Sequence, residues 1–93
     1  MEIAAYRVVV RGRVTGVGFR YSALREATRY PGLQGHVRNL DDRAVECVVQ
    51  GRRPDVDAMV SWLHQGPALA HVTDCQAMPI PVAPDLAPFH VRF

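Results

Sequence analysis

Apolar and polar residues alternate from Tyr6 to Arg13. Tyr6, Val8 and Val10 fall on one side; Arg7, Arg11 and Arg13 fall on the other, with Val9 among them. A period of two predicts a strand with one buried face. The period then changes. Phe19, Ala23, Leu24 and Ala27 recur at helical spacing, which predicts an amphipathic helix. Pro31-Gly32 stops it, because proline disfavours helix in the residue before it. Alternation returns over about Gly35 to Leu40 and Ala44 to Gln50, and Leu40-Asp41-Asp42-Arg43 between them predicts a hairpin turn. In the second arm Val45, Cys47 and Val49 share one face, and Glu46, Val48 and Gln50 the other.

Pro54 suits the first turn of a second helix. Asp55 and Asp57 suit the positive end of its dipole. Val56, Met59, Val60 and Leu63 form its apolar stripe, with Met59 and Trp62 as core or core-edge residues, and Gly66-Pro67 ends it. Val72 to Met78 reads as a fourth strand. Pro79 to Pro88 reads as an extended connector, and Phe89, Val91 and Phe93 as a short closing strand. The string βαββαβ plus a C-terminal strand fits an α+β, ferredoxin-like two-layer sandwich. Two helices are expected on one face of a mainly antiparallel sheet, with water on the other.

Composition narrows the class. At 93 residues the expected unit is one domain over residues 1–93. No apolar run is long enough to span a bilayer. Met1-Glu2-Ile3-Ala4-Ala5 lacks a basic region followed by an apolar stretch, so a cytoplasmic protein is expected. The formal charge of +2 is too small to imply nucleic acid. All 11 basic residues are arginine, which excludes lysine Schiff-base or lysine-base chemistry. Cys47 and Cys75 sit in separate strand-like runs and read as buried free thiols. His36, His64, His71 and His90 show neither metal spacing nor a catalytic triad. The stripe Arg7, Arg11, Arg13 reads as solvated surface. RNA on that face would want stacking aromatics, and the outward positions Val9, Glu46, Val48 and Gln50 supply none.

The chemistry concentrates in Gly12-Arg13-Val14-Thr15-Gly16-Val17-Gly18-Phe19-Arg20. A glycine-bearing loop between a strand and a helix N-terminus collects free backbone N–H groups and suits a phosphate-like anion. Arg20 adds a permanent cation where the helix dipole would prefer an acid. The spacing is neither a Rossmann fingerprint nor a Walker loop. Two readings of the local pattern stay open: a phosphate site, or a tight connection without a ligand. The second segment is Gly35-His36-Val37-Arg38-Asn39-Leu40. Asn39 either caps the following turn through its own side chain or meets Arg20 in space.

Together these two segments, with Asp42 and Val45-Glu46, resemble the acylphosphatase family. The likeness extends more loosely through Trp62-Leu63 and Gly66-Pro67 to Phe89. The resemblance implies the sandwich fold derived above and hydrolysis of the carboxyl–phosphate anhydride of small acyl phosphates. It implies Arg20 as the phosphate-binding arginine, Asn39 as the residue holding the attacking water, and Thr15, Gly16, Val17, Gly18 and Phe19 as the phosphate cradle. It implies no metal or organic cofactor. A monomer without nucleic-acid or membrane partners is expected. Thr15 stands where the family usually has glutamine, and Asp42-Arg43 where Asp-Gly is usual. The link Tyr30-Pro31-Gly32-Leu33 is one residue longer than common. The competing reading is a non-catalytic phosphate-binding module on the same fold.

Overall fold

The computed structural model describes residues 2–93. The elements run β1 (Ile3–Arg13), α1 (Phe19–Ala27), β2 (Gln34–Asp41), β3 (Ala44–Arg52), α2 (Arg53–Gln65), β4 (His71–Pro79) and β5 (His90–Val91). The sheet order is β4-β1-β3-β2-β5. All neighbours are antiparallel except β2 and β5. Each predicted element is present. The first strand begins three residues earlier than the alternation suggests, and the closing strand shrinks to two residues.

The helix-covered face is built as the period of two requires. Val8, Val10, Val37, Val45, Cys47 and Val49 are fully buried there beneath Phe19, Ala23, Val56, Met59 and Leu63. Burying each such large side chain stabilises the fold by about 1.5–3 kcal/mol. Helix α1 ends at Ala27, well before Pro31. The Thr28 hydroxyl donates to the Arg25 carbonyl at 2.6 Å, and the N–H groups of Thr28, Arg29 and Tyr30 each bond the carbonyl three residues back. The last turn therefore tightens, and the carbonyls at that end are satisfied locally.

The opposite face departs from the expectation of open water. Val9, Glu46 and Gln50 are all buried. The connector from Pro79 to Phe89 crosses that face at the end remote from the glycine loop. Gln50 imitates a strand neighbour to it: its amide donates to the Ala83 carbonyl and its oxygen accepts the Ala83 N–H, both at 2.8 Å. Gln34 adds a bond to the Leu86 carbonyl at 2.8 Å. Glu46 is buried for a different reason. Arg7 and Arg38 lie over it and donate to its two carboxylate oxygens at 2.6 and 2.8 Å. Arg7 is thus an ion-pair partner rather than free solvated surface.

Glu46 gives the fold a defined acid response. Burial pushes its carboxyl up, but the hydrogen bonds and charges of Arg38 and Arg7 outweigh burial and hold it at about 2, against an ordinary 4.5. The folded state therefore binds this proton more weakly than the unfolded chain. The stabilisation is complete above pH 4.5 and is lost as pH falls towards 2. Glu46→Gln is expected to cost about 2 kcal/mol at pH 7, the order of one to two charge-assisted hydrogen bonds. The gap between the two proteins should close as pH drops from 4.5 to 2. Urea midpoints across that range check it; a constant gap would contradict the assignment.

Candidate active site

The residues Val14 to Gly18 turn the chain from β1 into α1 across one end of the sheet. Gly16 and Gly18 have φ of 71° and 75°, a left-handed backbone that side chains rarely adopt. A Cβ on either would meet nothing within 4 Å. Backbone conformation, not crowding, is therefore what calls for glycine, and the loop's outer side stays open. Gly18 is the N-cap of α1 and supplies no side-chain cap, and the first turn holds no acid. The Ser22 N–H bonds the Gly18 carbonyl at 2.9 Å. The N–H groups of Phe19, Arg20 and Tyr21 precede that first helical bond and have no helical acceptor. Phe19 fixes the turn's position. Its ring is 2% exposed and packs against Trp62 with centroids 5.6 Å apart.

The neighbouring wall comes from the β2–β3 hairpin. Asn39 shares the face of Gly35 and Val37, but it lies beyond the covered part of the sheet and is exposed. Asn39 pairs with Val45, whereas Asp41 pairs with Ala44, so Leu40 is an extra residue in a bulge. No non-glycine residue among those described has a positive φ. The Asp42-Arg43 connection is therefore not the type I′ turn that Asp-Gly would favour. Asp41 caps it by accepting the Arg43 N–H at 2.8 Å, so Asn39 is not needed for that purpose. Two further bonds lock loop to hairpin. The Thr15 hydroxyl donates to the Asp42 carbonyl at 2.6 Å, and the Gly12 N–H to the Arg43 carbonyl at 3.0 Å.

A cavity of about 180 Å³ opens between these walls, lined by Thr15, Gly16, Gly18, Phe19, Arg20 and Asn39, with Val14 and Tyr21 completing it. Arg20 and Asn39, 19 positions apart in the chain, meet at this one cavity. Val17 is the exception among the expected cradle residues: it does not line the cavity, and its side chain packs against the core. Thr15 lines the cavity while its hydroxyl is committed to the hairpin.

Two residues missed by the sequence reading bear on Arg20. Its Nη1 donates to the Arg92 carbonyl at 3.4 Å, and its guanidinium carbon lies 4.8 Å from the centre of the Phe93 ring. The chain after β5 thus steadies the guanidinium by a carbonyl and by a cation–π contact. The alternation of Phe89, Val91 and Phe93 signalled a strand; nothing in it signalled Arg20 as the neighbour.

Other chemistry is limited. Both cysteines are free. Burial pushes the Cys47 thiol far up and the Cys75 thiol to about 11, so neither is a thiolate nucleophile at neutral pH. Among the described residues no three His, Cys, Asp or Glu side chains gather as a metal-ligand group. No helix among them is long and apolar enough to cross a membrane.

Comparison with known proteins agrees with this fold. The acylphosphatase family model matches residues 6–91. An acylphosphatase of Burkholderia thailandensis is 51% identical over 73 residues, 78% of this chain and 74% of the relative. One from Anaeromyxobacter dehalogenans is 47% identical over 87 residues, 94% of this chain and 92% of the relative. The crystal structure of the Bacillus subtilis acylphosphatase superposes with a TM-score of 0.87 at 32% identity, covering 99% of this chain and all of that one. The chain belongs to the acylphosphatase family, hydrolases that act on acid anhydrides.

Proposed function

We infer that this chain hydrolyses the carboxyl–phosphate anhydride of small acyl phosphates, with Arg20 and the loop amides binding the phosphate and Asn39 positioning the attacking water. The observation that carries the residue roles is the single cavity shared by the glycine loop, Arg20 and Asn39. The phosphate oxygens take the free N–H groups at the start of α1 and the guanidinium fork. The Asn39 carboxamide holds water on the opposite side of phosphorus from the leaving group. The water oxygen forms the new P–O bond as the bond to the acyl oxygen breaks. Its electron pair leaves on a carboxylate, and the water proton passes to a phosphate oxygen.

This machinery is sufficient in physical terms. The leaving group's parent acid has a pKa of about 4, so it departs without a general acid. Phosphoryl transfer passes through a loose transition state, which leaves positioning and charge stabilisation as the main tasks. Each charge-assisted hydrogen bond contributes about 1.5–3 kcal/mol. Water in such a reaction needs orientation more than deprotonation, which a neutral amide supplies.

The single-domain, monomeric and cytoplasmic reading belongs to the same proposal. The single-domain part of it is supported by the acylphosphatase family model, which matches residues 6–91. Phosphate release from benzoyl and acetyl phosphate in the presence of EDTA tests the activity. Turnover undiminished by EDTA is the expected result. A folded chain that binds phosphate saturably without turnover would instead be a non-catalytic anion-binding module.

A further inference from the structure

The phosphate has partners in Arg20 and the loop amides, and the attacking water has one in Asn39. The acyl group of the substrate has none among these. In-line displacement limits where that group can lie. The attacking and leaving oxygens stand on opposite sides of phosphorus. The acyl group therefore lies away from the hairpin wall that carries Asn39, towards the wall formed by α1.

The cavity offers little apolar surface to receive it. Val14 and Phe19 are buried and spend their side chains on the core. The glycines, Thr15, Arg20 and Asn39 are small or polar. Tyr21 remains. It borders the cavity and is 55% exposed. Of the three tyrosines in the chain, Tyr6 and Tyr30 pack against the core and Tyr21 does not. A single exposed apolar residue is ordinary; this one is set apart by its place. It is the third residue of α1. Helical side chains lean back over the turn before them. Here that turn is the helix end whose N–H groups are free, so the ring leans over the rim of the phosphate seat. Phe93 is also exposed, but it does not line the cavity, and its ring lies against the Arg20 guanidinium.

We propose that the Tyr21 ring receives the acyl group and so favours acyl phosphates with a flat aromatic acyl group over those with a short aliphatic one. The proposal rests on the acyl phosphate hydrolysis inferred above and on the roles given there to Arg20 and Asn39. A benzoyl ring can pack on the phenol ring offset-stacked or edge to face. An acetyl methyl group covers little of it. The ring makes the contact, and the hydroxyl is not required. The carbon skeleton of the acyl group is unchanged as the bond to phosphorus breaks. The contact is therefore as strong in the ground state as in the transition state, and it acts on KM rather than on kcat.

The test compares wild type, Tyr21→Phe and Tyr21→Ala on benzoyl phosphate and acetyl phosphate. Alanine is the best helix former, so the truncation leaves α1 intact. The ratio of the two substrates within each enzyme cancels any change in active fraction. In Tyr21→Ala the benzoyl-to-acetyl ratio of kcat/KM should fall about three- to tenfold, the range of one aromatic pair. The fall should come from a higher KM for benzoyl phosphate. The constants for acetyl phosphate and the inhibition constant for inorganic phosphate should stay within about twofold of wild type, since neither probe covers the ring. Tyr21→Phe should keep the wild-type ratio. A general loosening of the loop would instead slow both substrates together and weaken phosphate inhibition. An unchanged ratio in Tyr21→Ala, an equal loss on both substrates, or a Tyr21→Phe enzyme as impaired as Tyr21→Ala would overturn the proposal. A folded wild type that turns over neither substrate would remove the activity itself and the proposal with it. An active wild type whose ratio does not respond to Tyr21→Ala removes the role of Tyr21 alone.

Discussion

Arg20→Ala is expected to lower kcat/KM for benzoyl phosphate about 10³-fold, and Arg20→Lys to recover no more than about tenfold of that loss. A guanidinium donating two hydrogen bonds to a transferring phosphoryl group supplies about 3–6 kcal/mol, and each 1.36 kcal/mol is about tenfold in rate. Lysine keeps the charge but presents a point ammonium without a planar fork. It also gives up the flat surface that lies against the Phe93 ring. Fold loss is not the expected cause, since the guanidinium's hydrogen bond to the protein is the 3.4 Å contact with the Arg92 carbonyl. Steady-state phosphate release, with circular dichroism as a control for folding, checks both variants. An Arg20→Lys enzyme with most of the wild-type activity would remove the fork from the mechanism.

Asn39→Ala should lower kcat about 10²-fold, the scale on which misplacing one reacting group slows a positioned reaction, while inorganic phosphate still inhibits with a constant within about twofold of wild type. The two effects separate because Asn39 faces the cavity from the hairpin, whereas the free N–H groups belong to α1. Stability should change little, because Asn39 is exposed and the turn beside it is capped by Asp41. Asn39→Asp is the informative companion. It keeps the shape and a water acceptor but adds a negative charge beside the bound phosphate, so it should weaken phosphate inhibition as well as turnover. A large loss of phosphate affinity in Asn39→Ala with kcat unchanged would reverse the roles assigned to the two walls.

Much of this molecule is legible in one dimension. The change of period between Tyr6–Arg13 and Phe19–Ala27 marks a strand giving way to a helix, and the glycines between them mark where the backbone must turn. The helix-covered core residues follow from the same alternation. The far face of the sheet was not legible. Glu46 and Gln50 look like outward polar positions, yet both are buried. Their partners, Arg7, Arg38 and the Ala83 backbone, come from three separate stretches, and no local pattern records which side chains will cross a sheet to meet. Arg43 is a similar case. It reads as a departure from a favoured turn, and only the structure reveals that a bulge at Leu40 absorbs it.

What the sequence determined by itself is the set of parts: the order of strands and helices, the glycine loop that leaves N–H groups free, and the presence of Arg20 and Asn39 at their ends. These depend on local sterics and on the spacing of apolar side chains, which act over a few residues. The tertiary structure decided how the parts face one another. Helix α1 packs beside β2, which brings Arg20 and Asn39 to one cavity. The Thr15 and Gly12 bonds lock the loop to the hairpin turn. Arg92 and Phe93, which follow a two-residue strand, steady the guanidinium. Those contacts join residues as many as 72 positions apart, and they form only after the buried core has fixed which elements are neighbours.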